Sequence, residues 1–214
     1  TDKTTMSKRQ RLSFFHFEGL PDEIILKIFS LLDIKGVLRC GQFSKRLRTI
    51  SNDQSLWSTL NLSGRQVPYG FIEKAVQNGC EYLNLCSSWV HGGKKAEEPW
   101  KLKYLQISQH TDEWDKCALT LLEKVLQNCH FLQKLAVDNY FLNSREIEQI
   151  CQNGETLQNL SLEGCDIDYY HQTELIQKLF TKCPQLTELR IYKYAGNNGV
   201  DQNMYALVNN LTSN

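Results

Sequence analysis

The chain has 214 residues, enough for one mid-sized domain or for a small module joined to a repeat array. Hydrophobic residues make up 41%, and Gly and Pro are modest, so this is a folding chain and not a low-complexity one. Lys+Arg and Asp+Glu are both 24, which removes any general electrostatic case for nucleic acid or an anionic membrane as partner.

Residues 1–13 are polar and are expected to form a disordered basic tail. Lys8, Arg9 and Arg11 make a weak basic tract, read as a solvated tail or as an aid to nuclear import. The N-terminus lacks the apolar core of a signal peptide. The longest apolar stretch, Ile24 to Leu32, is broken by Lys27 and Ser30 and is too short to span a bilayer. The expectation is a cytoplasmic and/or nuclear protein. Eight cysteines, at 40, 80, 86, 117, 129, 151, 165 and 183, contain no Cys-x-x-Cys pair and are expected to be reduced, small core residues. The sequons at Asn61, Asn159 and Asn210 are then expected to stay unmodified.

A first helix opens at Pro21, Asp22 and Glu23 and runs on to Leu32. Ile24, Ile28 and Leu31 form one stripe; Ile25, Phe29 and Leu32 form a second. A helix apolar nearly all round must be covered on both sides. The local module can cover one side. The other is covered either by a partner protein or by the chain downstream. Asp33 is an N-cap for a second helix, Ile34 to about Gln42, weakened by Gly36. A basic third segment, Ser44-Lys45-Arg46-Leu47-Arg48, ends near Asn52-Asp53, and Ser55-Leu56-Trp57 follows.

The order Leu20-Pro21-Asp22-Glu23, Ile28-Phe29, Leu32, Leu38, Ser44-Lys45-Arg46, Leu56-Trp57 resembles the F-box, whose motif is Leu-Pro-x-Glu, an apolar helix, Lys-Arg and a closing Leu-Trp. Leu47 departs from it, standing where the family usually has Trp. The likeness implies a three-helix module over 14–58 that binds a Skp-type adaptor through Leu20, Pro21, Ile24, Ile28 and Leu38.

Downstream, a Leu-x-x-Leu-x-Leu pattern recurs from Trp57, Cys80, Leu102, Leu132, Leu157 and Leu186, in steps of 23, 22, 30, 25 and 29 residues. That spacing suits leucine-rich repeats, each a strand plus a helix. Helix-period segments lie between strands: Leu119, Leu122, Val125, Leu126; Ile147, Ile150, Cys151; and Leu175, Ile176, Leu179, Phe180. The stretch from Cys86 to Trp100 lacks such a pattern. Cys129 and Cys183 before a strand, and Cys165 after one, resemble the cysteine-containing repeat subclass. Residues 59–214 are therefore expected to form a repeat array of about six strands. The fold class is α/β: a small helical module followed by a solenoid with a curved parallel sheet on the concave face and helices on the convex face. Asp201 to Leu211 reads as the helix of a last repeat whose strand is missing, so the array is expected to be incomplete at its C-terminal end.

Together the two parts resemble the F-box/leucine-rich-repeat receptors of cullin–RING ubiquitin ligases. Asp53-x-Ser55-Leu56-Trp57-x-Thr59-Leu60 and Leu160-Ser161-Leu162-Glu163-Gly164 carry a likeness to a cell-cycle branch of that family. The resemblance implies a non-catalytic subunit. The adaptor links it to a cullin and a RING subunit, and the repeats hold a protein substrate, phosphorylated where an accessory phosphate-binding protein helps to read it. A scaffold or decoy that binds the adaptor without delivering a substrate is the alternative. An enzyme with a Cys/His site invisible in sequence is the third.

The residues themselves argue against catalysis. Cys129-His130 are chain neighbours that do not face one another, as a Cys–His pair requires. His91 after Cys86, and His110 before Cys117, do not have zinc spacings. Gly92-Gly93-Lys94-Lys95 lacks the first glycine and the Ser/Thr of a phosphate loop. No catalytic residue, metal or cofactor is expected.

In a strand, alternate residues face opposite sides, so burying the Leu-x-Leu positions exposes the others. These are Thr59, Asn61, Ser63; Tyr82, Asn84, Cys86; Tyr104, Gln106, Ser108; Lys134, Ala136, Asp138; Asn159, Ser161, Glu163; and Glu188, Arg190, Tyr192. The strip is a protein-binding surface or an ordinary solvated face. Tyr82, Tyr104, Lys134, Arg190 and Tyr192 are its candidate substrate contacts. Lys134, Arg190 and Lys193 are scattered, unlike the arginine cluster that reads phosphate unaided.

Overall fold

The computed structural model describes residues 19–92, 99–108, 122–123, 125–167 and 172–192. The expected basic tail, the residues Leu119, His110, Cys117, Lys193 and Asn210, the lysines of the Gly92-Gly93 segment, and the helix expected over Asp201–Leu211 lie outside them. The chain divides into two compact units, Thr1–Trp57 and Ser58–Asn214.

The first unit is helical. Helix α1 spans Asp22–Phe29, α2 Ile34–Cys40 and α3 Lys45–Ser51, with a 3₁₀ turn at Gln54–Leu56. The N-termini of α2 and α3 follow from side chains that accept otherwise orphaned amides. The Gly36 N–H donates to Asp33 Oδ1 (2.9 Å), and the Leu47 N–H donates to Ser44 Oγ (3.2 Å). Helix α1 stops at Phe29, short of the expected Leu32. Ser30 Oγ donates to the Lys27 carbonyl (2.7 Å), and the amides of Leu31 and Leu32 turn back onto Ile28 and Phe29. Such tight i→i−3 bonds close the helix whatever the apolar pattern beyond them. Leu32 is consequently exposed instead of joining the inner stripe. Ile25, Phe29, Val37, Leu47 and Ile50 form the core, flanked by Leu20, Leu26, Ile34, Cys40 and Leu56. Leu47, the departure from the motif, is thus a core residue. The buried Trp57 indole N–H donates to the Ser51 carbonyl (2.8 Å).

The second unit is built on a six-stranded parallel sheet. Its strands are β1 (Thr59–Asn61), β3 (Tyr82–Asn84), β5 (Tyr104–Ser108), β6 (Lys134–Asp138), β8 (Asn159–Glu163) and β10 (Glu188–Tyr192). They lie side by side in chain order. Every segment carrying the repeated leucine pattern supplies one strand. The register aligns Leu60, Leu83, Leu105, Leu135, Leu160 and Leu189 in one buried row. Slipping any strand by one residue would turn that row outward, so the leucines specify the pairing.

Four short strands were not foreseen. β2 (Gln66–Pro68) pairs with β4 (Trp89–His91), and β7 (Phe141–Leu142) pairs with β9 (Asp166–Ile167). Helices α4 (Tyr69–Gln77), α5 (Ser144–Cys151) and α6 (Gln172–Lys182) follow β2, β7 and β9. Leu122, Val125 and Leu126, before β6, are also helical and buried. In α6, Leu175 and Leu179 are buried, but Phe180 is exposed. Asn143 caps α5 in a capping box: the Arg145 N–H donates to Asn143 Oδ1 (2.8 Å), and the Asn143 N–H donates to Glu146 Oε2 (3.0 Å). That bond gives the buried Glu146 carboxylate a partner.

The sheet is flat where the sequence reading expects a curved one. Curvature arises when every connection is a helix, because helices pack about 8–10 Å apart and strands only about 4.8 Å. Between β3 and β5 the described residues carry β4 and no helix to act as such a wedge.

Of the eight cysteines, the seven described are free thiols, and Cys80, Cys129, Cys165 and Cys183 are buried. Cys165 Sγ donates to the Val137 carbonyl (3.0 Å) and Cys80 Sγ to that of Tyr82 (3.4 Å), which satisfies them inside the core.

Candidate functional site

Two surfaces are candidates, one on each unit. On the helical unit, α1 sends Ile25 and Phe29 into the core and leaves Ile24 48% exposed. Ile28 and Leu38 are half-buried and stand outside the core cluster, whereas Leu20 packs against it; Pro21 is exposed. Arg46 anchors the start of α1. Its Nη2 donates to the Leu20 carbonyl (2.5 Å), and its Nε donates to Asp22 Oδ1 (2.7 Å). Arg46, one of the basic pair of the third helix, thereby holds the Leu-Pro turn in place.

Two further apolar residues are bare, Leu31 at 78% and Phe43 at 80% exposure. Leu31 belongs to the first apolar stripe of the sequence pattern, with Ile24 and Ile28, and Phe43 lies outside both stripes. A signal for it was present. Phe43 precedes the N-cap Ser44, where an apolar side chain normally packs on the residue four into the helix, and that residue is Arg48. The staple has no partner, and the ring stays in solvent. So many large apolar side chains on so small a unit suit a partner surface better than a solvated one.

On the second unit, the residues between the leucines form an open face. Tyr82 and Tyr104 lie opposite each other on β3 and β5, ring centroids 6.1 Å apart. Burial pushes the Tyr104 hydroxyl pKa up. Asn84 Nδ2 donates to Gln106 Oε1 (3.3 Å). A depression of about 270 Å³ lies over β5, β6, β8 and β10, lined among others by Tyr104, Lys134, Asp138, Asn159, Glu163 and Arg190. Arg190 Nε donates to Glu188 Oε1 (2.6 Å), and Asn159 Nδ2 donates to Glu188 Oε2 (2.6 Å). Arg190, a candidate anchor, is therefore already engaged by a carboxylate, and that pairing holds the Glu188 pKa down. Burial raises the Asp138 pKa, opposed by a hydrogen bond from Gln106 and reinforced by Glu163. Lys134 is exposed on β6. Tyr192 lies at the end of β10. The face thus brings Tyr104, Lys134 and Arg190 around one depression and places Tyr82 beside Tyr104.

Among the described residues no group of His, Cys, Asp and Glu is arranged to hold a metal ion, and no helix is long and apolar enough to cross a membrane.

An exposed apolar stripe over a three-helix core, fixed by a Leu-Pro turn and a basic pair, is the arrangement on which known proteins bear. Residues 17–63 match the F-box-like family. Two F-box proteins are similar over longer stretches. One is the F-box protein dre-1 of Caenorhabditis elegans, 40% identical over 94 residues, which is 43% of this chain and 9% of dre-1. Another is an F-box protein of Arabidopsis thaliana, 25% identical over 193 residues, covering 79% of this chain and 38% of that protein. The chain therefore spans well under half the length of either relative. The F-box-like segment contains all five residues expected to meet an adaptor and reaches through β1.

Proposed function

We propose that this chain is a substrate-recognition subunit of an SCF-type ubiquitin ligase. The observation that carries the reading is α1 within the F-box-like segment: Ile25 and Phe29 complete the unit's own core while Ile24, Ile28 and Leu31 remain for a partner. Leu20, Pro21, Ile24, Ile28 and Leu38 would contact a Skp-type adaptor, with Phe43 extending the surface. The adaptor would bring the cullin and the RING subunit, in the cytoplasm or the nucleus.

The six in-register strands, spaced by 22 to 30 residues, support reading the second unit as leucine-rich repeats. Their open face would hold a protein substrate, with Tyr82, Tyr104, Lys134, Arg190 and Tyr192 as contacts. On the sequence resemblance to the S-phase-kinase-associated F-box protein, carried by Asp53-x-Ser55-Leu56-Trp57 and Leu160-Ser161-Leu162-Glu163-Gly164, the chain would act in cell-cycle control and read a phosphorylated target with an accessory protein. The engagement of Arg190 by Glu188 fits that sharing, since a cation already neutralised is a weak phosphate ligand on its own.

Such a subunit catalyses by proximity and needs no nucleophile. Burial pushes the Cys80 and Cys165 thiols up to about 12, and Cys129 higher still, which disfavours a thiolate at these three positions.

The test is affinity purification of the chain from cells in which ligase activity is blocked, followed by target half-lives. Co-purification of a Skp-type adaptor with a cullin, and a captured protein whose half-life lengthens on depletion, are expected. Adaptor without any destabilised target would show a scaffold or decoy. Absence of the adaptor would overturn the proposal.

A further inference from the structure

Cys151 closes helix α5, and Cys183 directly follows helix α6, one repeat later. The two thiols lie near enough to shift one another's pKa. The two helices pack against one another, and Lys178 Nζ of α6 reaches Glu148 Oε1 of α5 at 3.3 Å. Just past Cys151, a Cβ on Gly154 would fall 1.9 Å from the Lys182 carbonyl oxygen. The chain leaving α5 is therefore pressed on the end of α6, and this close approach brings Cys151 and Cys183 to one junction.

We propose that Cys151 and Cys183 form a reversible disulfide that staples α5 to α6, with a low-molecular-weight disulfide such as oxidised glutathione as the oxidant. This inference is independent of the ligase reading.

The roles of the two thiols are unequal. Cys151 is half-buried, whereas Cys183 is 2% exposed. The neighbouring Cys183 thiol is the largest influence holding the Cys151 pKa below the ordinary thiol value; Lys178 and Lys182 add to it, burial and Glu148 oppose it. Cys151 is then the attacking thiolate. It displaces one glutathione thiolate from the oxidant and forms a mixed disulfide. Cys183 gives its proton to solvent, attacks the Cys151 sulfur and expels the second glutathione thiolate. Two thiols lose two electrons and two protons in total, and one glutathione disulfide becomes two glutathiones. Neither step requires α5 and α6 to separate, since both cysteines lie where the ends of the two packed helices meet.

The experiment incubates the purified full chain in oxidised glutathione, quenches by alkylation and maps peptides by mass spectrometry. A peptide pair joined through Cys151 and Cys183, reversed by dithiothreitol, is the expected product. In Cys183→Ser, glutathione should remain attached to Cys151. In Cys151→Ser, Cys183 should be modified at least about tenfold more slowly than Cys151 in the wild type. Linkage of Cys151 to Cys40 or Cys86 instead, a stable glutathione adduct on the wild-type Cys151, or no linkage at all would overturn the proposal. Should either variant fail to fold, as judged by circular dichroism, the wild-type peptide map decides alone.

Discussion

Replacing Ile24 and Ile28 together by Glu separates the chain's fold from its partner surface. Ile24 is already half covered, with 48% of it exposed. Full burial of an isoleucine is worth about 1.5–3 kcal/mol, so contact with a partner has roughly 1 kcal/mol left to gain at Ile24 and less at Ile28. A carboxylate in the same place adds the larger effect. It must lose its water without a partner, at a cost of about 2 kcal/mol or more per site. The sum of about 5 kcal/mol weakens adaptor binding at least about a thousandfold. The fold should respond little, by about 1 kcal/mol, because Ile24 is exposed, the half-buried Ile28 lies outside the core cluster, and Glu is as good a helix former as Ile. Ile25→Glu is the contrast, since Ile25 is fully buried and a charge there should unfold the helical unit. The assays are calorimetric titration with a Skp-type adaptor and thermal melting by circular dichroism. A double variant that melts like the wild type and binds the adaptor within tenfold of it would refute the reasoning. It would move the interface to another face of the unit.

Other predictions bear on the second unit. Tyr104→Ala should weaken capture of the substrate or its accessory protein by about 2 kcal/mol, if it is a central contact, while leaving the adaptor bound. Loss of the ring pair with Tyr82 should cost stability about 1 kcal/mol, measured in urea; a loss several times larger with unchanged capture would show a purely structural tyrosine. Gly154→Ala should destabilise the unit by more than about 3 kcal/mol in the same assay, because the new Cβ meets the backbone carbonyl of Lys182. A raised folded-state Asp138 pKa means that the folded form binds more protons than the unfolded one between the ordinary Asp value and that raised value. Stability should therefore fall as pH rises through this window, and Asp138→Asn should flatten the pH profile of unfolding and gain stability at neutral pH.

Much of the fold was legible because it rests on two periodicities. Leucines at alternate strand positions point to one side, so the six patterned segments become six strands whose leucines align from Leu60 to Leu189. Likewise the i, i+3, i+4 spacing located Ile147, Ile150, Leu175 and Leu179 in the core. What stayed hidden has no period. Strands β2, β4, β7 and β9 are two or three residues long, and β2, β7 and β9 each place a single side chain inside, Val67, Leu142 and Ile167. The end of α1 was set by three local hydrogen bonds around Ser30, invisible in an apolar count. The Glu188–Arg190 pair could have been read, since residues two apart on a strand share a face. The thiol pair could not, because it depends on how the ends of two helices meet across a repeat boundary.

The candidate sites divide along the same line, and for a physical reason. A residue that fills the core is constrained by volume and polarity, so its type reveals its position. Ile25 and Leu105 could hardly be anything but large and apolar. Ile24, Leu31 and Phe43 are not needed inside, so their apolar character is unexplained until a partner is supposed, and that surplus is itself the signal. Tyr104, Lys134 and Asp138 satisfy a sheet face equally well as binding groups or as solvated ones. Their types locate the face without naming its ligand. The surface that the fold does not explain is thus informative when apolar and silent when polar. The helical unit therefore points to a class of partner, while the sheet face points only to a place where one would bind.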